Sequence, residues 1–194
     1  MPAYPTPVAM RATAGAPSFA KITAIFRGGS IAPALEMVWV PFVSAMLIVV
    51  VGAIGSYMRQ PWLFAALAPT ALMIAANPGH ETTSFRSIVG GHVLALACAY
   101  FALILLNASP TKTMLATQVA PFARIWASAA ALAMLAIVMP PLRAFHPPAA
   151  ATALLVTLGA YRMTGKTPLA LVGGVVVMAI CAELLHRFRP RRRG

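Results

Sequence analysis

An all-α bundle of membrane helices, built as two related three-segment halves, is the fold this sequence predicts. Three observations predict it. Sixty per cent of the 194 residues are hydrophobic and nine per cent charged, against about a quarter charged in an ordinary soluble domain. The apolar residues gather in six runs, near 34–57, 61–76, 87–106, 121–139, 147–161 and 168–186, whose lengths go long, short, long and then long, short, long. Short stretches of the first three runs recur in the last three at nearly constant offset. Such a chain is an integral membrane protein in contact with the lipid bilayer.

Residues 1–32 form a basic tail without acids and without the continuous apolar core of a secretory signal. Within it, "FAKITAIFRGG" sets Phe19, Ile22 and Phe26 near one helical face beside Lys21 and Arg27, which suits a short helix lying on the membrane surface. A plain lead-in, or an organellar transit peptide, is the alternative. The membrane domain spans 33–187. Glu36 opens its first run as an N-terminal helix charge. Pro61 opens the second, and the third carries small residues every four positions at Gly91, Ala95 and Ala99. In the fourth, Arg124 reads as a snorkelling anchor. Pro147 and Pro148 open the fifth. The sixth holds Gly173 and Gly174, and ends with Glu183 and His186 one turn apart, close enough to pair locally. Cys98 and Cys181 read as small buried hydrophobes. Residues 188–194 are a polybasic tail.

The halves, 33–106 and 120–187, are related by three matches in the same order. "IVGGHVLALACA" at 88–99 aligns with "LVGGVVVMAICA" at 171–182, offset 83. "APTAL" at 68–72 aligns with "AATAL" at 150–154, offset 82, so that Thr70 and Thr152 correspond. "PF" recurs at 41–42 and 121–122. The short runs would reach only about 22–24 Å as helices, less than the ~30 Å hydrocarbon core. Short, proline-opened segments at matching places in two repeats point to a transport site near mid-membrane. They are re-entrant segments in a four-span parallel arrangement, or half helices in a six-span inverted one. Either way ten Lys and Arg fall on the side of the termini and five on the other, so both termini are expected in the cytoplasm, at a bacterial inner membrane.

The net charge of +12 does not mark a nucleic-acid binder, because the basic residues sit at the ends of apolar runs with no aromatic-basic surface. The three acids are Glu36, Glu81 and Glu183, scattered along the chain. No catalytic set, metal site or cofactor motif is expected.

"FHPPAAATALL" at 145–155, preceded by "FRSIVGGH" at 85–92, resembles the signature of the HPP family of membrane proteins. The similarity covers about 33–187. Family members are described with four membrane spans, and some in plants and cyanobacteria are associated with nitrite transport. The resemblance therefore implies a small inorganic anion, nitrite first, as the partner. The chain departs from the family's usual residues at Ser84 to Ser87, often Gln-Pro-Arg-Asn, and at Ala68 to Ala71, often a Gly-Ala-Ser-Ala-like stretch.

Five residues are candidates for the substrate pathway. His146 precedes a helix start, where free N–H groups and the dipole favour an anion; the plainer reading is an interfacial histidine bonded to backbone. Thr152 and Thr70 offer hydroxyls that line a path or bond back to their own helix carbonyls. His92 is an ionisable group within an apolar run, lining the path or bridging helices. Arg86 attracts an anion or anchors its helix. Pro61, Pro147 and Pro148 shape helix starts. Gly90, Gly91, Gly173 and Gly174 let helices approach closely, within a monomer or between subunits of a homo-oligomer. Two rivals to anion transport are a membrane anchoring or sensing module that moves nothing, and a cation or neutral-solute transporter lined by Glu81 or Glu183.

Overall fold

The computed structural model describes residues 33–109, 120–161, 163 and 165–188. The surface helix expected within 1–32 and the basic run from 189 onward lie outside them. Six helices follow in order: α1 (Pro33–Tyr57), α2 (Leu67–Ala76), α3 (Phe85–Leu105), α4 (Phe122–Val138), α5 (Ala149–Thr157) and α6 (Thr167–Phe188), with a 3-10 turn at Glu81–Thr83 and no strand among the described residues. Stretches of α1, α3 and α6 are long and apolar enough to cross a membrane. At 1.5 Å per residue, α2 and α5 reach only ~15 and ~14 Å, half a membrane each.

Both short helices are shorter than their apolar runs. Pro61 does not begin α2, contrary to the expectation; the helix starts six residues later. The reason is Trp62, whose ring packs against Gly173 and whose carbonyl packs against Gly174 of α6, holding the chain off a helical path. The chain then turns, Leu67 N–H bonding Phe64 O at 3.0 Å and Ala68 N–H bonding Ala65 O at 3.2 Å. Pro69 falls in the first turn, where its missing N–H costs nothing. In the second half Pro148 is the N-cap of α5. That helix ends at Thr157 because Gly159 takes φ +71° and Ala160 N–H closes back on Leu155 O at 2.9 Å, a glycine-terminated cap.

Contacts at both ends of α3 give the direction of every segment. Its start, the near end, faces Ala144 and His146. Towards its finish, the far end, Tyr100 donates to Met163 O just ahead of α6. Trp62 touches Gly55 late in α1 and Gly173 early in α6, so α1 also finishes at the far end. Residues 58–84 therefore return from far end to near end through α2, and 139–166 pass from near to far through α5. The short segments cross rather than dip back. Among the described residues the chain makes six passages between the two ends of the bundle, and 33–105 traverse it in the opposite sense to 122–188.

Packing follows the same exchange. α1 packs on α2 as α4 does on α5, α3 lies against α4 and α5 as α6 lies against α1 and α2, and α3 meets α6. Alanines make this closeness possible: Ala95, Ala99, Ala127, Ala131, Ala153 and Ala179 are fully buried. Phe101, Ile104, Phe122, Ile137 and Leu169 are exposed on the outside, as a lipid-facing surface requires.

Candidate functional site

The two half helices and α3 bring four polar side chains together inside this apolar bundle. His92 and His146 are fully buried, as is Thr70, and Thr152 is 1 % exposed. Thr70 Oγ1 lies 3.2 Å from His92 Nε2 and 3.1 Å from His146 Nε2. Thr152 Oγ1 lies 2.7 Å from His92 Nδ1. His146 Nδ1 donates to Thr82 O at 2.7 Å. The two imidazoles are 5.3 Å apart between centroids, and Phe64 meets His92 edge-on at 6.3 Å.

Each side chain is placed by local structure. Thr83 fixes the 3-10 turn that presents the Thr82 carbonyl, its hydroxyl bonding Asn77 O and His80 O at 3.0 and 2.9 Å. Ser84 caps α3, accepting from Ser87 N–H at 3.2 Å, which starts the helix two turns before His92. Gly91 has no Cβ where one would come within 2.8 Å of His146 Cβ, so α3 and the 144–146 segment touch backbone to backbone. A Cβ added at Gly90 would come within 3.0 Å of Ala144 Cβ. The paired glycines 173 and 174 receive Trp62 in the corresponding manner, so both glycine pairs admit the segment ahead of a half helix from the other half.

The hydrogen bonds have a direction. A carbonyl only accepts, so His146 carries its proton on Nδ1, and in a neutral ring Nε2 then accepts from the Thr70 hydroxyl. Thr70 has spent its one proton, so its oxygen accepts from His92 Nε2–H. His92 Nδ1 then accepts from Thr152. This assignment gives each of the four contacts one donor and one acceptor. The competing bond from Thr70 to Ala66 O, at 3.2 Å, is the back-bond open to any helical threonine.

The free N–H groups expected at the start of α5 are not free. Ala149, Ala150 and Ala151 donate to the carbonyls of 146, 147 and 148 at 2.9, 3.0 and 3.1 Å. A tight first turn after two prolines consumes them, so donors at this site come from side chains. Arg86 lies outside the cluster, exposed, bonding Leu142 O at 3.1 Å and tying α3 to the loop before His146. Arg124 does not snorkel: it is 4 % exposed and bonds Thr157 O at 2.6 Å and Ser109 O, capping the end of α5 at the far end. Glu183 pairs with exposed Arg187 at 3.6 Å. Glu81 is exposed in the 3-10 turn. Neither acid enters the cluster.

Phe64, Trp62 and the Thr82 carbonyl were not singled out from sequence. A signal existed for Phe64: it precedes His146 by 82 residues, the spacing that relates Thr70 to Thr152. For Arg124, Ser128 one turn on, with Ala127 and Ala131 on the same side, marked an inward face.

A bundle of apolar helices with two half helices meeting at a buried polar cluster is a polytopic membrane protein whose polar residues face inward, away from lipid. The particular family follows from comparison. A family model described as HPP, transmembrane region, matches residues 30–194, and the chain belongs to that family. No curated protein and no solved structure matches the chain.

Proposed function

We propose that this protein carries a small inorganic anion across the membrane, nitrite being the first candidate, through the cluster formed by His146, Thr70, His92 and Thr152. One observation carries the reading: the only buried acceptor-and-donor chain between the half helices, among the described residues, holds hydroxyls and imidazoles and no carboxylate. Such groups can replace an anion's hydration, and a carboxylate there would repel it. The matching contacts of the two halves support an inverted duplication, and rocking of one half against the other would expose the cluster alternately at each end. With ten of the fifteen Lys and Arg counted on the side of the termini from the order of the runs, both termini would face the cytoplasm of a bacterial cell. The exposed apolar faces also suit lipid or a second copy of the chain. We read the cluster as a passage rather than an enzyme's active site.

A second reading, an anchoring or sensing module that transports nothing, draws on the closed packing of the four residues. The experiment that separates the two is uptake of labelled nitrite into proteoliposomes, with nitrate and chloride as competitors, for the wild type and His146→Ala. Uptake above protein-free vesicles that falls in the variant supports the anion path. Uptake unchanged in the variant moves the path elsewhere. No uptake by inserted, folded protein refutes transport.

A further inference from the structure

We infer that Thr152, His92, Thr70 and His146 form a proton relay, so that the anion moves together with a proton; this rests on the anion-transport reading above. The same heavy atoms serve two protonation states. In the neutral chain Thr152 donates to His92 Nδ1, His92 Nε2–H donates to Thr70, Thr70 donates to His146 Nε2, and His146 Nδ1–H donates to Thr82 O. Suppose nitrous acid gives its proton to Thr152 Oγ1. Its O–H bond breaks, the electron pair stays on the departing nitrite, and Thr152 passes its own proton to His92 Nδ1. His92 releases the Nε2 proton to Thr70, and Thr70 releases its proton to His146 Nε2. One proton has entered, and one extra proton now sits on His146 as imidazolium.

Three of the four bonds are remade in reverse without moving an atom heavier than hydrogen. His146 Nε2–H donates to Thr70, Thr70 donates to His92 Nε2, His92 Nδ1–H donates to Thr152, and the bond to Thr82 O is kept. A static structural network needs one satisfied arrangement. This one has two, differing by one proton. The extra charge settles on the ring nearest the near end, whose Nδ1 bonds the turn that carries exposed Glu81.

The other charged or titratable groups on the surrounding elements do not enter the chain. His80 Nδ1 is engaged by the Thr82 hydroxyl at 2.8 Å, Arg86 bonds Leu142 O, Arg143 is exposed, Arg124 lies at the far end, Glu183 pairs with Arg187, and His186 stands near the end of α6. α2 and α5 carry no ionisable side chain. A buried imidazolium therefore has the transported anion as its natural counter-charge. Proton and anion each favour the binding of the other, and the coupling is reciprocal.

The test uses the full chain in phosphatidylethanolamine and phosphatidylglycerol vesicles containing a pH dye, with labelled nitrite outside and protein-free vesicles setting the nitrous acid leak. Expected are lumen acidification accompanying uptake, acceleration by an acidic exterior, and no effect of clamping the membrane potential, since the pair is electroneutral. His146→Gln and Thr70→Val should fall to the protein-free baseline, and Thr70→Ser, which keeps the hydroxyl, should retain coupled uptake. Nitrite uptake without acidification, unaffected by Thr70→Val, overturns the relay and leaves transport standing. Absence of nitrite uptake overturns both. Nitrogen-15 spectra of labelled wild type give a check that does not depend on flux: at neutral pH His92 should carry its proton on Nε2 and His146 on Nδ1. Any other tautomer pair overturns the relay.

Discussion

Replacing Gly91 by alanine adds one methyl group to α3 where the chain leading into α5 lies closest. That Cβ would sit 2.8 Å from His146 Cβ, 3.1 Å from Met139 Cε and 3.2 Å from Ala144 O. Carbon atoms in contact prefer about 3.5–4.0 Å, so the 144–146 segment must retreat by about 0.7–1.2 Å from α3. Met139 can swing its terminal methyl aside. His146 Cβ and the Ala144 carbonyl are tied to backbone and cannot. Two effects then oppose each other. Alanine stabilises a helix interior by about 1 kcal/mol relative to glycine, whereas overpacking a close interface costs about 1–3 kcal/mol. With two backbone-tethered neighbours the upper part of that range applies, leaving a net loss of about 1–2 kcal/mol. Gly52→Ala is the counter-case. Its Cβ meets only the far end of the Leu63 side chain at 3.3 Å, so the helix gain should prevail and stability should hold or rise. The assay is apparent melting temperature in detergent for both variants beside wild type. Gly91→Ala as stable as Gly52→Ala would refute the claim that backbone proximity, rather than helix propensity, requires a glycine at 91.

Two further outcomes follow from the same geometry. Arg124→Lys keeps the charge but loses the planar fork that reaches Thr157 O and Ser109 O together. A loss of about 1–3 kcal/mol is expected, read as a lower melting temperature in the same detergent, and an unchanged value would remove the capping role assigned to this residue. Glu183→Gln should change stability by less than about 0.5 kcal/mol, because its ion pair with Arg187 joins exposed side chains. A large drop in melting temperature would mean that Glu183 has a role beyond that pair.

Much of the fold was legible because a membrane helix is written in composition. The long runs end within two residues of their helices: 87–106 became Phe85–Leu105, and 121–139 became Phe122–Val138. The half helices were harder, since apolarity does not distinguish helical residues from apolar loop. Trp62 and Phe64 are as apolar as α2 itself, and only the tertiary seat at Gly173 and Gly174 keeps them out of it. The cluster was partly legible. His146, His92, Thr70 and Thr152 could each be picked out as polar residues in apolar surroundings, but their joining through Thr70 spans 76 residues of chain and has no local signature. Arg86 stands six residues before His92, nearly two helical turns, which leaves it exposed at the near end, anchored to Leu142 O, while His92 is buried.

Under the inverted duplication proposed above, the two halves would share a scaffold without sharing its chemistry. On the duplication we propose, Thr70 and Thr152 are equivalent, and both bond the same His92. The offset of 83 places Val175 opposite His92, and the offset of 82 places Phe64 opposite His146. Val175 and Phe64 are buried to 1 % and 4 % exposure, so each apolar counterpart fills its position rather than leaving a gap. A strictly symmetric site would bury four imidazoles, with two chains of hydrogen bonds competing for two hydroxyl protons. Keeping one histidine from each half leaves a single chain, with one carbonyl at its end to give it a direction. A directed path cannot arise on a two-fold axis unless the two sides differ. On the relay we infer, the apolar side chains of Phe64 and Val175 are therefore as much a part of the arrangement as the two histidines.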